Sequence, residues 1–301
     1  MKKLLNLPGI ITVLNTPFTI DNEIDYTSLR RNVRNAIDAG VAGFLVPAMA
    51  SEVGKLSEAE RDGLLAAVLD EVQGRAPVIG GASAGTQAER VRYARRCVEL
   101  GCSGVLVSLS YTDEAQYERE LRGVADTGPP FLMVQDWDFS GYGAPVPLIA
   151  RLFEEVEAFR CLKVEVVPAG RKYSEVLAAT SGRLHVSGGW AVTQMIEALD
   201  RGVHAFMPTG MHAIYTRIFA LYQRGDREGA GTLFRELLPV LAFSNQHLDI
   251  SIHFFKRLLH AEGVYTTPNV REPILPFDAY HERIAEEMIE RVKRITTASA
   301  S

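Results

Sequence analysis

Short apolar runs alternate with amphipathic stretches from residue 9 to about residue 224. The apolar runs lie at 9–14, 43–47, 77–80, 104–109, 130–135, 161–167, 184–187 and 204–208, and they predict eight strands. Apolar residues recur with the helical period at 26–39, 57–73, 86–100, 114–126, 147–159, 171–180, 192–201 and 214–224, which predicts one helix after each strand. The strands are apolar throughout instead of alternating, so they suit a parallel sheet covered on both faces. Eight βα units predict an α/β fold, a closed (β/α)8 TIM barrel. An open doubly wound sheet is the alternative, but no GxGxxG stands at a first strand–helix turn. About three further helices follow, two of them at 226–242 and 245–261. The expected division is a barrel over 1–225 and a C-terminal helical extension packed on it over 226–301.

Local signals agree with this pattern. Ser57 and Glu60 form a capping box, and Pro147 suits a first helical turn. The junctions Ala39-Gly40-Val41, Leu100-Gly101-Cys102 and Arg201-Gly202-Val203 each end a helix with a glycine, which supplies the left-handed cap.

Composition narrows the function classes. The chain has 301 residues, 47% apolar and 23% charged, an ordinary globular mix. The net charge is −5 with no basic block, so neither nucleic acid nor an anionic membrane surface is an expected partner. Lys2-Lys3 precede an apolar run that Asn6, Pro8 and Gly9 interrupt, and no 18-residue apolar span exists. Neither a signal peptide nor a membrane helix is expected, and the expected location is cytoplasmic. Cys97, Cys102 and Cys161 stand in apolar surroundings without a CxxC and read as buried thiols. The seven histidines form neither HxH nor HExxH, so no metal and no cofactor is expected.

One residue breaks the apolar pattern. Lys163 interrupts the run Cys161-Leu162-Lys163-Val164-Glu165-Val166-Val167. An unpartnered buried ammonium costs several kcal/mol. Two readings follow: an edge-strand lysine that reaches water along its stem, or a desolvated amine that attacks a carbonyl to form a Schiff base. In a barrel the active site lies at the C-terminal ends of the strands. Glu165, two residues on, shares a face with Lys163 and is placed for proton transfer.

These residues carry a family resemblance. Gly9-Ile10-Ile11-Thr12-Val13-Leu14-Asn15-Thr16-Pro17-Phe18, Leu56-Ser57-Glu58-Ala59-Glu60-Arg61 and the sixth-strand Lys163 resemble the class I aldolase-type lyases typified by dihydrodipicolinate synthase and N-acetylneuraminate lyase. The resemblance spans nearly the whole chain. It implies a TIM barrel, a Schiff base between Lys163 and pyruvate or another 2-oxo acid, no cofactor, and a homotetramer built as a dimer of dimers.

The chain also departs from the family. The carboxylate-binding Gly-Thr-Thr-Gly-Glu loop reads Ala48-Met49-Ala50-Ser51-Glu52. The strand-five tyrosine, a proton relay, reads Val134 and is followed by Gln135-Asp136. The arginine that grips aspartate semialdehyde has no counterpart in residues 137–143. Tyr111 matches the tyrosine contributed across a subunit contact. The variant pattern, with Lys163-Val164-Glu165 before Pro168-Ala169-Gly170 and Phe206-Met207-Pro208 at strand eight, resembles 2-keto-3-deoxy-L-arabonate dehydratase. It implies dehydration of a 2-keto-3-deoxy sugar acid, with pyruvate-dependent aldol cleavage as the alternative and a non-catalytic 2-oxo-acid-binding barrel as a distant third. The expected catalytic residues are Lys163, Glu165 and Tyr111. Expected on the substrate side are Ala50 and Ser51 as an anion nest, Gln135 toward a hydroxyl, Gly188 and Gly189 for close approach of backbone, and Thr209 at the rim. Glu52 reads as an acceptor for nearby backbone groups.

Overall fold

A computed structural model describes residues 2–300, with the side chains at 190, 191, 299 and 300 left out. Eight parallel strands close into a barrel in chain order: β1 (Gly9–Val13), β2 (Gly43–Val46), β3 (Val78–Gly81), β4 (Gly104–Ser108), β5 (Leu132–Asp138), β6 (Phe159–Val166), β7 (His185–Gly188) and β8 (Ala205–Phe206). Nearly every strand residue is buried, as a sheet covered on both faces requires. The helices between them are α1 (Tyr26–Asp38), α2 (Glu58–Val72), α3 (Gln87–Glu99), α4 (Glu114–Ala125), α5 (Val146–Glu155), α6 (Ala169–Ala179), α7 (Met195–Asp200) and α8 (His212–Gln223). Three more follow: α9 (Arg227–Ser244), α10 (Leu248–Ala261) and α11 (Ala279–Ala300). No helix among the described residues is long and apolar enough to cross a membrane.

The predicted caps form. Ser57 and Glu60 exchange the two bonds of a capping box at α2. Gly40, Gly101 and Gly202 take φ of +80°, +86° and +87° after their helices, where a side chain would be strained. The strand boundaries differ most at β5. It runs on through Asp136, Trp137 and Asp138, which read as loop because of their polarity.

Contacts group the chain into two units. One comprises Met1–Ile11 and Pro77–Pro208, the other Thr12–Ala76 and Thr209–Ser301. In the first, the register sets Gln135 opposite Lys163 and Trp137 opposite Glu165 across β5 and β6. It sets Lys163 opposite Ser187 across β6 and β7. The sequence had put Val134 in the relay position, but Val134 pairs with Leu162. A shift of one residue turns a side chain to the other face. Gln135 is thus the strand-five residue that shares the face of Lys163.

Each unit buries a histidine. In the first, His185 Nε2 donates to the Leu7 carbonyl at 2.9 Å, which leaves Nδ1 to accept from the Cys161 thiol at 3.0 Å. In the second, His212 lies 3.2 Å from both Thr12 Oγ1 and Asn32 Oδ1. Asn32 continues to Tyr265 at 3.1 Å, and Tyr265 to the Asn15 carbonyl at 2.9 Å. Burial holds His185 and His212 down to about 4, so both rings are neutral near pH 7. The unfolded chain takes up these protons near pH 6.5, whereas the folded chain does so only near 4. Stability is therefore full above pH 6.5 and falls between pH 6.5 and 4, by about 3 kcal/mol per histidine. Urea denaturation at pH 7 and pH 4.5 should show a clearly lower midpoint at pH 4.5. Equal midpoints would mean that the rings do not titrate as buried neutral groups.

Candidate active site

Three of the seven lysines are buried, not one. Lys163 retains 6% exposure, whereas Lys172 and Lys256 retain none. The last two sit on α6 and α10, where a helical pattern does not show which polar residue turns inward. Burial alone therefore does not single out Lys163; what each ammonium touches does.

Lys172 is fully committed. It pairs with Asp136 and reaches the Tyr142 and Ala144 carbonyls, the latter at 2.8 Å. Asp136 Oδ1 accepts from the Ala144 N–H at 2.9 Å. Burial pushes the Asp136 carboxyl up, against the pull of the Lys172 ammonium. Gly143 lies so close that a side chain there would meet Asp136 Oδ1 at 2.2 Å. Asp136 and Lys172 thus brace the loop after β5.

Lys256 is also structural. It pairs with Glu52, reaches the Asn269 carbonyl at 2.8 Å, and lies 4.1 Å from the Phe18 ring centroid. Burial lowers it to about 8, against the pull of Glu52. Glu52 has a left-handed φ of +56° and accepts further bonds from Lys55 at 3.0 Å and the Arg271 N–H at 2.9 Å. It thereby ties residues 48–52 to residues 269–271, the acceptor role expected for it.

Ser51 ends a short 3₁₀ turn, Met49–Ser51. Its hydroxyl donates to the Leu14 carbonyl at 2.5 Å and accepts from the Ala48 N–H at 3.0 Å. Its own N–H donates to the Ala48 carbonyl at 2.9 Å. Both donors expected to form an anion nest are spent, the hydroxyl on Leu14 and the N–H on Ala48, so Ser51 holds this loop in shape. Ala50, beside it, accepts from Asn15 Nδ2 at 2.7 Å. Thr209 is buried after β8 in the same unit.

Lys163 differs from the other two. Its ammonium is 3.2 Å from Glu165 Oε2 and has no other hydrogen-bond or ion-pair partner among the described residues. Glu165 is 7% exposed and also accepts from the Gln135 carboxamide. The two side chains touch directly. Gly189 makes this arrangement possible: a Cβ there would stand 1.9 Å from Glu165 Oε1 and 2.5 Å from Lys163 Cε. The room expected for substrate at Gly189 is occupied by these side chains. Gly188 closes β7 opposite Val164. Below Lys163, Cys161 and His185 form a buried polar layer that the sequence reading missed, since each looks like an isolated core residue. Burial pushes the Cys161 thiol up to about 12, so it keeps its proton. Tyr111 lies after β4, 37% exposed and edge-on to Tyr117. The Trp190 side chain lies outside the described residues. Among the described residues, no group of three or more His, Cys, Asp or Glu is placed to hold a metal ion.

Residues 6–292 match the Dihydrodipicolinate synthetase family. The chain belongs to this family. An L-2-keto-3-deoxyarabonate dehydratase from Azospirillum brasilense is 28% identical over 276 residues, covering 88% of each chain. A 4-hydroxy-tetrahydrodipicolinate synthase from Acidothermus cellulolyticus is also 28% identical, over 92% of this chain and 89% of the relative. Among solved structures, a putative dihydrodipicolinate synthetase from Pseudomonas aeruginosa superposes with a TM-score of 0.87 at 25% identity, covering 95% of this chain and 100% of the other. Family membership makes this chain a lyase of the superfamily and leaves its specific reaction open between relatives of equal identity.

The three buried lysines should separate in experiment. Lys172→Met or Lys256→Met strands a buried carboxylate and should cost about 3–5 kcal/mol of stability. Lys163→Met should cost less, because Lys163 has one carboxylate contact to lose, whereas Lys172 also loses two carbonyls and Lys256 a carbonyl and a ring face. Denaturant midpoints of the three variants check this; the largest loss at Lys163 would reverse the assignment.

Proposed function

We propose that the protein is a Schiff-base-forming lyase of a 2-oxo acid, and that it dehydrates a 2-keto-3-deoxy sugar acid. The observation that carries this reading is the buried Lys163–Glu165 contact at 3.2 Å with the Gln135 carboxamide on the same carboxylate. The resemblance to an arabonate-type dehydratase and the equally similar named relative support it.

The chemistry follows from the groups present. Proton transfer from the Lys163 ammonium to Glu165 across the 3.2 Å contact gives a neutral amine and a carboxylic acid. The amine attacks C2 of the 2-oxo acid, and the acid protonates the departing oxygen. Water leaves and an iminium forms. Glu165, again a carboxylate, removes a C3 proton, which the iminium has made acidic. The resulting enamine expels the C4 hydroxyl, which takes that proton from Glu165 and leaves as water. Hydrolysis of the conjugated iminium frees Lys163, and the net change is the loss of one water. Gln135 orients Glu165 but moves no proton, because a carboxamide does not titrate near pH 7. The homotetramer and cytoplasmic location implied by the resemblance belong to the same reading; light scattering should give the mass of four chains.

Borohydride reduction with a panel of 2-oxo acids, followed by peptide mapping, should place the adduct on Lys163. An adduct on another lysine, or none at all, sinks the mechanism. Glu165→Gln should still be trapped yet lose about 10²–10⁴-fold in turnover; near-normal turnover would move proton transfer to another group. Pyruvate with aspartate semialdehyde should be a poor substrate pair. A kcat/KM of about 10⁴ M⁻¹s⁻¹ or more would reassign the enzyme to the synthases.

A further inference from the structure

Past Gln135, β5 continues to Asp138, and strand alternation puts Trp137 on the face that Gln135 shares with Lys163. Trp137 is the register partner of Glu165. It is 44% exposed, and Phe139, 45% exposed, packs edge-on against it at 5.6 Å. Two large half-exposed rings in contact at the end of a strand offer a surface that a ligand can cover. They stand on a rigid base, because Asp136, on the opposite face of β5, is locked by Lys172 and the Ala144 N–H.

Charge says which ligand. On the face that Trp137 shares with Lys163, the acidic group of β5 and β6 is Glu165; Asp136 and Asp138 lie on the other face of β5. The cations on β6 and α6 beside them are all committed: Lys163 to Glu165 at 3.2 Å, Lys172 to Asp136, and Arg171 to Glu175 at 2.6 Å. A second anionic group on that face would meet the Glu165 carboxylate, with no cation of β5 or β6 at this end other than Lys163. An uncharged chain would lay its C–H face on the indole while its hydroxyls stay wet.

We infer that Trp137, backed by Phe139, is the specificity-determining wall for the distal carbons of the 2-oxo acid, favouring a neutral hydroxylated tail over one ending in carboxylate or phosphate. The inference rests on the Lys163 imine. Wild-type enzyme and Trp137→Ala are titrated with pyruvate, a 2-keto-3-deoxy pentonic acid and its dicarboxylate counterpart, with the borohydride adduct read by intact mass. In wild type, the neutral pentonic acid should reach half-maximal adduct at a concentration about tenfold below the dicarboxylate. In Trp137→Ala, the preference for the pentonic acid over tail-less pyruvate should fall about five- to tenfold, the loss of one aromatic contact; Trp137→Phe should retain most of it. An unchanged ratio in Trp137→Ala, or a wild type that takes the dicarboxylate equally well, overturns the role of Trp137 and leaves the imine standing. No adduct with any of the acids removes both.

Discussion

A lysine and a glutamate buried in contact on one face of β6 constrain everything around them. Opposite charges at 3.2 Å with only 6% and 7% exposure are tolerable because each offsets the desolvation of the other. The contact needs space, so the neighbouring chain at 189 must lack a side chain. It also needs a further donor for the carboxylate, and the register of β5 brings the Gln135 carboxamide to it. The glycine leaves room for the contact, and the pairing of β5 with β6 brings the glutamine to it.

The three buried lysines show how a structural ammonium differs from a reactive one. An ammonium has three donors to place. Lys172 spends them on a carboxylate and two carbonyls, and Lys256 on a carboxylate, a carbonyl and an aromatic face. In both, every donor of the ammonium has a partner. Lys163 holds one carboxylate, so proton transfer costs it one contact and the acceptor is already in place. Partial satisfaction, not burial, sets Lys163 apart from the other two.

The architecture was legible because a parallel barrel leaves an unambiguous mark: apolar strands, amphipathic helices and glycine caps at 40, 101 and 202. Lys163 and Glu165 were legible because charge in such a strand is rare. The register was not. Val134 and Gln135 are adjacent, and one residue decides which faces the lysine; only the pairing with Leu162 and Lys163 resolves it. Lys172 and Lys256 were hidden for a related reason, since helical periodicity marks an apolar stripe but not which bordering charge is drawn beneath it. Ser51 was read by its chemistry, whereas its donors are spent on Leu14 and Ala48. Hydrogen bonds over 37 and 3 residues of sequence fix its role, and no local motif announces the longer one.

The register also gives the departures from the synthases a common sense. β5 divides its work by face: Gln135 and Trp137 on one, Asp136 as the brace of its loop on the other. With a carboxamide where the resemblance expects a phenol relay, β5 supplies no proton donor beside the lysine. Tyr173 does not substitute, because burial, and then the charge of Glu165, drives its phenol well above the ordinary range. On the face of β5 and β6 that carries Lys163, the one carboxyl is Glu165. One carboxyl serves a reaction that removes a proton at C3 and returns it to a departing hydroxyl one carbon away. Condensation with a second carbonyl compound requires protons delivered to a separate molecule, the task for which a relay is suited. The loss of the relay and the retention of Lys163 with Glu165 therefore argue in the same direction, toward elimination of water within a single bound acid.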